Sequence, residues 1–388
     1  MTHLDRVGDD DERDTAFLRN LFAKFGARTV SEPIGDFSRL NWSCRSFCEV
    51  EPATPEELGA IVRLAAQNRI ALRTRGNGHA LNGSSLPKRG ELLVRTQSLC
   101  HASDPRHGVV AAGAGCVLWH LDAWLRSRGF ELPVINAGHA GPTVGGFVAA
   151  GGFGCNSAAA GGFWNNVAYV ATVNGRGDIE VLSRDDPMFP WLFGSMGQLG
   201  IVAEVGLDVV AHNPDRRRRN GVSGLRQHLD KEMTPLVPTR NEAGRLFWFS
   251  LFVPEARLEE VCGILDELEK QHSEAFNLRD RYAYRITHRT VVAPLVWPEA
   301  TSCYAVGSWG LLECTSPERM RRVLAFDADF MRVASAGRYR RYVQSEVSSG
   351  PRFYARYFGD ELYSMFRAHK DRLDPHAIFN RGWVFPVA

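Results

Sequence analysis

No stretch of about 18 apolar residues runs free of polar interruption, so a membrane-spanning helix is not expected. The most apolar region, Pro142 to Phe163, is dense in glycine and broken by Asn156 and Ser157. The opening MTHLDRVGDDDERD is acidic and lacks the apolar core of a secretory leader. Charge of one sign is equally absent: 46 basic against 44 acidic side chains leave a net +2, which gives no reason to expect nucleic acid as a partner. The one dense basic run, Arg216 to Arg219, follows Asn213-Pro214-Asp215 and reads as a solvated linker, with an anion-binding patch as the alternative. The eight cysteines show no framework spacing. Cys44 and Cys48 stand four apart with no second pair to complete a zinc site; they read as buried structural thiols, and no metal is expected. These absences predict a cytoplasmic protein with reduced thiols that works on small molecules, not on membranes or nucleic acid.

Two nucleotide signatures are missing as well. Gly76-x-Gly78 would need a third glycine at 81, where Leu81 stands, so the Rossmann fingerprint is not met. No G-x-x-x-x-G-K-[ST] occurs either, which excludes a P-loop.

What is present is a chain of 388 residues, 44% hydrophobic, long enough for two or three structural units. Thr54-Pro55-Glu56-Glu57 supplies a capping threonine, a proline at the first helical position and a capping-box glutamate. Leu58, Ile61, Val62 and Ala65 follow at helical spacing, so Pro55 to Asn68 is predicted to be an amphipathic helix. Strands are predicted at 70–73 and 91–95, with a glycine-rich loop between them. A strand at 108–112 leads to a helix at 117–128 stopped by Gly129. Strands at 167–173 and 179–182 flank Asn174-Gly175, a hairpin signal. Beyond about Ala211 the pattern changes: strands at 246–253 and 303–314 and helices at 255–271 and 317–335 suggest a separate sheet backed by helices. A last helix, Asp360 to Leu373, is stopped by Asp374-Pro375.

Three glycine-rich stretches lie at strand ends: Gly76 to Gly83, Gly138 to Gly154 and Gly194 to Gly200. Glycine clusters mark tight bends or close approach to a ligand, and their exposed amides form nests that suit a pyrophosphate. A single such loop reads as a turn. Three in one chain point to a large phosphate-bearing ligand held by neither missing signature.

Arg73-Thr-Arg-Gly-Asn-Gly-His79-Ala-Leu-Asn-Gly83 resembles the flavin-pyrophosphate loop of the PCMH-type FAD-binding family, which includes vanillyl-alcohol oxidase and the berberine-bridge-like enzymes. It is most similar to the loop of cytokinin dehydrogenases. Thr143-Val-Gly-Gly146 through Gly152 is similar to the family's second flavin loop, Gly197-Gln-Leu-Gly200-Ile201-Val202 to its G-x-x-G-I-[IV] strand, and Asp374-Pro375 through Phe379-Asn380 to its C-terminal return. The resemblance covers residues 45–210 and 355–388. It implies an α+β, two-domain, vanillyl-alcohol oxidase-like fold. An FAD-binding domain of two α+β subdomains would span 1–212, a substrate or cap domain with an antiparallel sheet flanked by helices 213–345, and a return to the FAD-binding domain 346–388. FAD would be held by Arg75, Gly76, Asn77, Gly78, His79, Ala80, Gly83 and Ser84 in the first loop. Gly138, Pro142, Thr143, Gly145, Gly146, Ala149 and Gly152 would hold it in the second, with Ile201, Val202 and Asn380 beyond. His79 would bond covalently to the 8α-methyl of the flavin.

The chain also departs from the family. The aspartate of cytokinin dehydrogenases is replaced by Gly138, with His139 beside it, so cytokinin is not the expected substrate. No cysteine stands near Gly141 for a second flavin bond, and Gly382-Trp383 replaces a Gly-Gln ending. A flavin oxidation needs a base for the proton next to the oxidised C–H. The candidates are His139, Tyr357 and Glu346, with Tyr342 and Tyr354 in the same C-terminal segment; among Tyr282, Tyr284, Arg285 and His288 the choice stays open. The expected activity is an FAD-dependent oxidase or dehydrogenase acting on a small metabolite, with oxygen or another electron acceptor. The alternatives are a flavin-bearing cyclase or lyase without net oxidation, and a binding module that has lost turnover.

Overall fold

Three four-stranded sheets carry the fold. The computed structural model describes residues 17, 19–136, 141–213, 245–287, 289–298, 300–312, 315–343 and 350–387. The first sheet has the order β1-β2-β4-β3, with β1 at Arg28–Val30, β2 at Phe47–Val50, β3 at Ala71–Arg75 and β4 at Glu91–Arg95. β2, β4 and β3 are parallel, and β1 closes one edge antiparallel. The helix Pro55–Gln67 makes the crossover from β2 to β3 and buries Leu58, Ile61, Val62 and Ala65. Its cap forms as the sequence predicts: Thr54 Oγ1 accepts from Glu57 N, and Glu57 Oε2 accepts from Ala53 N. The chain's end completes this sheet. Leu72 N donates to Ile378 O and Asn380 N donates to Leu72 O, laying residues 378–380 along the free edge of β3.

The second sheet, β10-β9-β11-β5, is antiparallel throughout. It contains β5 (Val109–Gly113), β9 (Val167–Val173), β10 (Ile179–Ser183) and β11 (Ile201–Asp208). Between β5 and β9 lie the helix Leu118–Arg126 and two-residue strands β6 (Phe130–Glu131), β7 (Ile135–Asn136) and β8 (Gly154–Cys155). β7 pairs with β8, and β6 pairs with β12 (Val210–Ala211). The hairpin expected around Asn174-Gly175 forms between β9 and β10, closed by a loop in which Asn174 N donates to Asp178 O and Asn174 Oδ1 accepts from Arg176 N and Asp178 N. The left-handed residue is Gly177, at φ 82°. The second glycine-rich stretch is not all loop: Val144–Ala150 is a helix capped by Thr143, whose Oγ1 accepts from Gly146 N.

The third sheet, β14-β15-β13-β16, is formed by β13 (Arg245–Pro254), β14 (Asn277–Thr287), β15 (Ser302–Leu312) and β16 (Arg340–Arg341). Phe247, Phe249 and Leu251 of β13 are buried with Phe326 and Phe330 from the helix Pro317–Ala336; Phe249 and Phe326 lie 4.7 Å apart. The helix Leu258–Gln271 packs on the same face, buried through Val261 and Leu265. The last helical stretch, Pro351–Leu373, is two helices that meet at a kink at Gly359, φ 72°, and the second runs from Asp360 to Leu373 as predicted. The architecture is mixed α and β, with the antiparallel sheets distinct from the helices that cover them. The boundary expected at 212/213 abuts a stretch outside the described residues; the one at 345/346 and the basic run Arg216 to Arg219 fall within such stretches. Cys44 and Cys48 are half-buried, not buried. Among the described residues no helix is long and apolar enough to cross a membrane.

Candidate cofactor cleft

A single cleft collects the glycine-rich turns. Its floor is the loop after β3, one side is the capped helix Val144–Ala150, and the turn before β11 and Asn380 close the end. Leu246 and Trp248 of β13, Tyr282 and Tyr284 of β14, Trp309 of β15 and Tyr342 form the opposite wall. Counted out to its open mouth, open solvent included, the cleft holds about 1690 Å³ of empty space.

The turns touch so closely that side chains would fill the space. A Cβ on Gly76 would lie 2.4 Å from Thr143 Oγ1, and one on Gly145 would lie 2.7 Å from Ala114 Cβ. Gly78 takes φ 71°, open only to glycine at low cost. Asn77 ties the two loops together, donating through Nδ2 to Gly141 O and accepting at Oδ1 from Gln97 Nε2. His79 lies in the lining with its ring stacked on Phe37 at 4.2 Å and 16°. Behind it, Asp36 accepts from Ser38 Oγ, Asn41 Nδ2 and Gly83 N. Burial pushes the Asp36 carboxyl above its ordinary range, and these hydrogen bonds only partly oppose that.

At the far end, Lys370 and Asp374 form a buried ion pair. Lys370 Nζ also donates to Gln198 O and Phe379 O, and Asp374 accepts from Ile378 N and Phe379 N. Burial lowers the Lys370 ammonium from its usual value. This knot holds Asn380 in the lining, where its Nδ2 donates to Met196 O and its buried Oδ1 has no hydrogen-bond partner. A buried acceptor of that kind suits an O–H or N–H donor from a bound molecule.

Of the residues expected to hold FAD, Gly76, Asn77, Gly78, His79, Ala80 and Ser84 line the cleft from the first loop. Pro142, Thr143, Gly145, Gly146 and Ala149 do so from the second, and Ile201, Val202 and Asn380 from the end. Arg75, Gly83 and Gly152 are not in the lining. Arg75 donates to Gly35 O and Ser85 Oγ, Gly83 donates to Asp36, and Gly152 packs against the Phe147 ring. Gly138, His139, Glu346 and His288 lie outside the described residues. Tyr357 is not in the lining: its hydroxyl donates to Arg341 O at 2.8 Å and is bonded by Arg341 N at 2.5 Å, a brace for β16. Tyr354 is buried, its hydroxyl accepting from Trp383 Nε1.

Sequence reasoning missed Phe37, Trp248, Trp309 and Phe153. Trp248 was legible as the odd member of the alternation Phe247-Trp248-Phe249, which puts it on the face away from the helices. It donates through Nε1 to Tyr282 Oη at 2.5 Å. Phe153 meets Tyr342 edge-on at 5.2 Å and joins the second loop to the aromatic wall. Burial pushes the hydroxyls of Tyr282, Tyr284 and Tyr342 well above their ordinary value, so all three stay protonated at neutral pH. Among the described residues the lining contains no Asp, Glu, Lys or Arg.

Residues 48–183 match the family model described as an FAD binding domain. That stretch contains the first two loops and the helix between them. That stretch is similar to an FAD binding domain. Its cofactor is FAD. The chain is 29% identical over 172 residues to an uncharacterized oxidoreductase of Rhodococcoides fascians, covering 44% of this chain and 39% of that one. It is 31% identical over 196 residues to cytokinin dehydrogenase 6 of Oryza sativa subsp. japonica, covering 46% and 36%. It is 25% identical over 210 residues to the mitochondrial D-2-hydroxyglutarate dehydrogenase of Danio rerio, covering 50% and 39%. The matches thus span about two fifths of the length of these relatives.

The cleft fits the cofactor on its own evidence: contacts that exclude a Cβ, a left-handed Gly78 and an unpartnered buried Asn380 oxygen. Among the described residues the lining offers backbone amides and no Asp, Glu, Lys or Arg, which suits binding through those amides.

Proposed function

We propose that the protein is an FAD-dependent oxidoreductase that oxidises a small, uncharged organic substrate, with the flavin tethered through His79. Bound FAD supplies the two-electron acceptor. Gly76 to Ala80 and Thr143 to Gly146 hold the cofactor by backbone, and Asn380 Oδ1 accepts one of its polar hydrogens. Trp248, Tyr282 and Tyr342 seat the substrate against it and exclude water. Oxygen or another electron acceptor would complete the turnover.

The observation that carries this reading is the convergence of His79 and three separate glycine turns on one cleft whose facing wall is, among the described residues, aromatic and uncharged. The neutral wall favours alcohols or phenols over 2-hydroxy acids, which bring a carboxylate that needs a cationic partner. Anaerobic mixing with such neutral compounds should bleach the yellow absorbance of the purified protein. A spectrum that stays oxidised while product accumulates would instead favour the cyclase or lyase reading. Acid precipitation separates the covalent question: the colour should remain with the protein pellet.

A further inference from the structure

Cys100 is exposed and Cys116 is buried, yet their sulfurs lie 3.3 Å apart. The backbone holds them there. Gly115 N donates to Leu99 O and Gly113 N donates to His101 O, so the segment 99–101 is clamped along 113–115. The clamp is tight: a Cβ on Gly113 would lie 2.2 Å from Leu99 O, and one on Gly115 would lie 2.1 Å from Thr96 O. The two thiols are also polarised relative to each other. Cys116 donates its S–H to His101 O at 3.1 Å, which turns its sulfur lone pairs toward Cys100. Both segments belong to the cleft. Thr96 and Ala114 line it, and Cys116 O and Ala114 O accept from Val144 N and Gly145 N of the capped helix.

We propose that Cys100 and Cys116 form a peroxide-sensitive thiol pair that closes into a disulfide beside the cofactor cleft. Cys100 is the thiol a peroxide can reach. Its thiolate attacks one peroxide oxygen, the O–O bond breaks, and the products are a sulfenic acid on Cys100 and an alcohol or water. The Cys116 sulfur then attacks the Cys100 sulfur. The S–O bond breaks, the S–S bond forms, and the departing hydroxide takes the Cys116 proton to leave as water. The two thiols lose two electrons in total, and the peroxide gains both. Burial pushes the Cys116 thiol up to about 12, which makes Cys116 the slower, resolving partner and Cys100 the first to react. The bond would fix the 96–101 segment to the turn that carries the second flavin loop.

The test treats the purified full-length flavoprotein with a few equivalents of hydrogen peroxide, then denatures, alkylates and digests it for mass mapping. The expected result is loss of the mass of two hydrogen atoms from the intact chain, a cross-linked pair of peptides containing Cys100 and Cys116, and full reversal by dithiothreitol. Cys100→Ser should leave Cys116 alkylatable after the same treatment, and Cys116→Ala should leave oxygen on Cys100 with no cross-link. The proposal is overturned if wild-type Cys100 stays fully alkylatable, gains oxygen without pairing, or pairs with a cysteine other than Cys116. None of these readouts depends on turnover or on how the flavin is attached.

Discussion

The ring of Phe37 lies flat against the imidazole of His79, 4.2 Å away and 16° from parallel. Phe37 is itself held by its N–H donating to Ala80 O, so the stack spans both sides of the loop that carries His79. A stack of this kind is worth about 0.5–1.5 kcal/mol. His79→Ala should leave FAD removable by acid. Phe37→Ala should keep FAD in the cleft but slow its covalent attachment by up to about tenfold, since about 1.4 kcal/mol is a factor of ten. In-gel flavin fluorescence over time measures both. Unchanged attachment in His79→Ala would end the claim that this imidazole is the tether.

Gly76 faces Thr143 Oγ1 so closely that an added methyl group would sit 2.4 Å from it. The hydroxyl cannot swing away freely, because it caps the helix Val144–Ala150 by accepting from Gly146 N. Losing such a cap costs about 1 kcal/mol, and the loops must also part. Gly76→Ala should therefore weaken FAD binding by about tenfold or more while the circular dichroism stays native. The fraction of flavin per chain after purification is the readout.

Much of this arrangement was legible before any coordinates, and the reasons differ by element. The helix Pro55–Gln67 carried its own start signal in Thr54 and Glu57 and a clean apolar stripe. The glycine turns pointed to a ligand because three of them stand at strand ends. The helix Val144–Ala150 was hidden by its glycines, which are poor helix formers; tertiary contact with Ala114 overrides that preference. β14 was not predicted, because charged residues interrupt its apolar pattern. Arg281 and Arg285 pair with Glu269 and Glu255 while Tyr282 and Tyr284 between them reach the cleft. Phe37 lies far from the loop in sequence and had no local signal at all.

Asp36 gives a pH dependence with a definite sign. Burial raises its carboxyl above 3.8 in the folded state, so the fold binds a proton more readily than the unfolded chain does. The contribution is fully present below 3.8 and is lost as pH rises through the raised folded value. Wild type should therefore gain stability relative to Asp36→Asn as pH is lowered from neutral toward 3.8, by at most about 1.4 kcal/mol per pH unit. Paired thermal melts across that range test it; a gap that narrows on acidification contradicts the assignment.

Lys370 is buried in the knot that holds the chain's end against β3. Removing one member of a buried ion pair costs about 3–5 kcal/mol. Asp374 keeps the N–H groups of Ile378 and Phe379 as donors, which places Lys370→Met toward the lower end. Chemical unfolding should show that loss. Residues 378–380 should become the first part of the sheet to exchange amide hydrogens.

Trp248 and Tyr282 set the last expectation. Trp248 Nε1 donates to the Tyr282 hydroxyl, and burial keeps that hydroxyl protonated well beyond neutral pH. A phenol in this state can orient a substrate but cannot take its proton. Tyr282→Phe leaves the indole N–H without its acceptor, a cost of about 1–3 kcal/mol, and should lower kcat/KM by roughly tenfold. The pH at which activity falls on the acid side should not move, because the group that titrates there is a different one. Trp248→Ala should act mainly on KM by removing the apolar face that covers the substrate. If the acid limb of the profile disappears in Tyr282→Phe, the tyrosine is the base, and the reading of this wall as a seat for a neutral substrate fails.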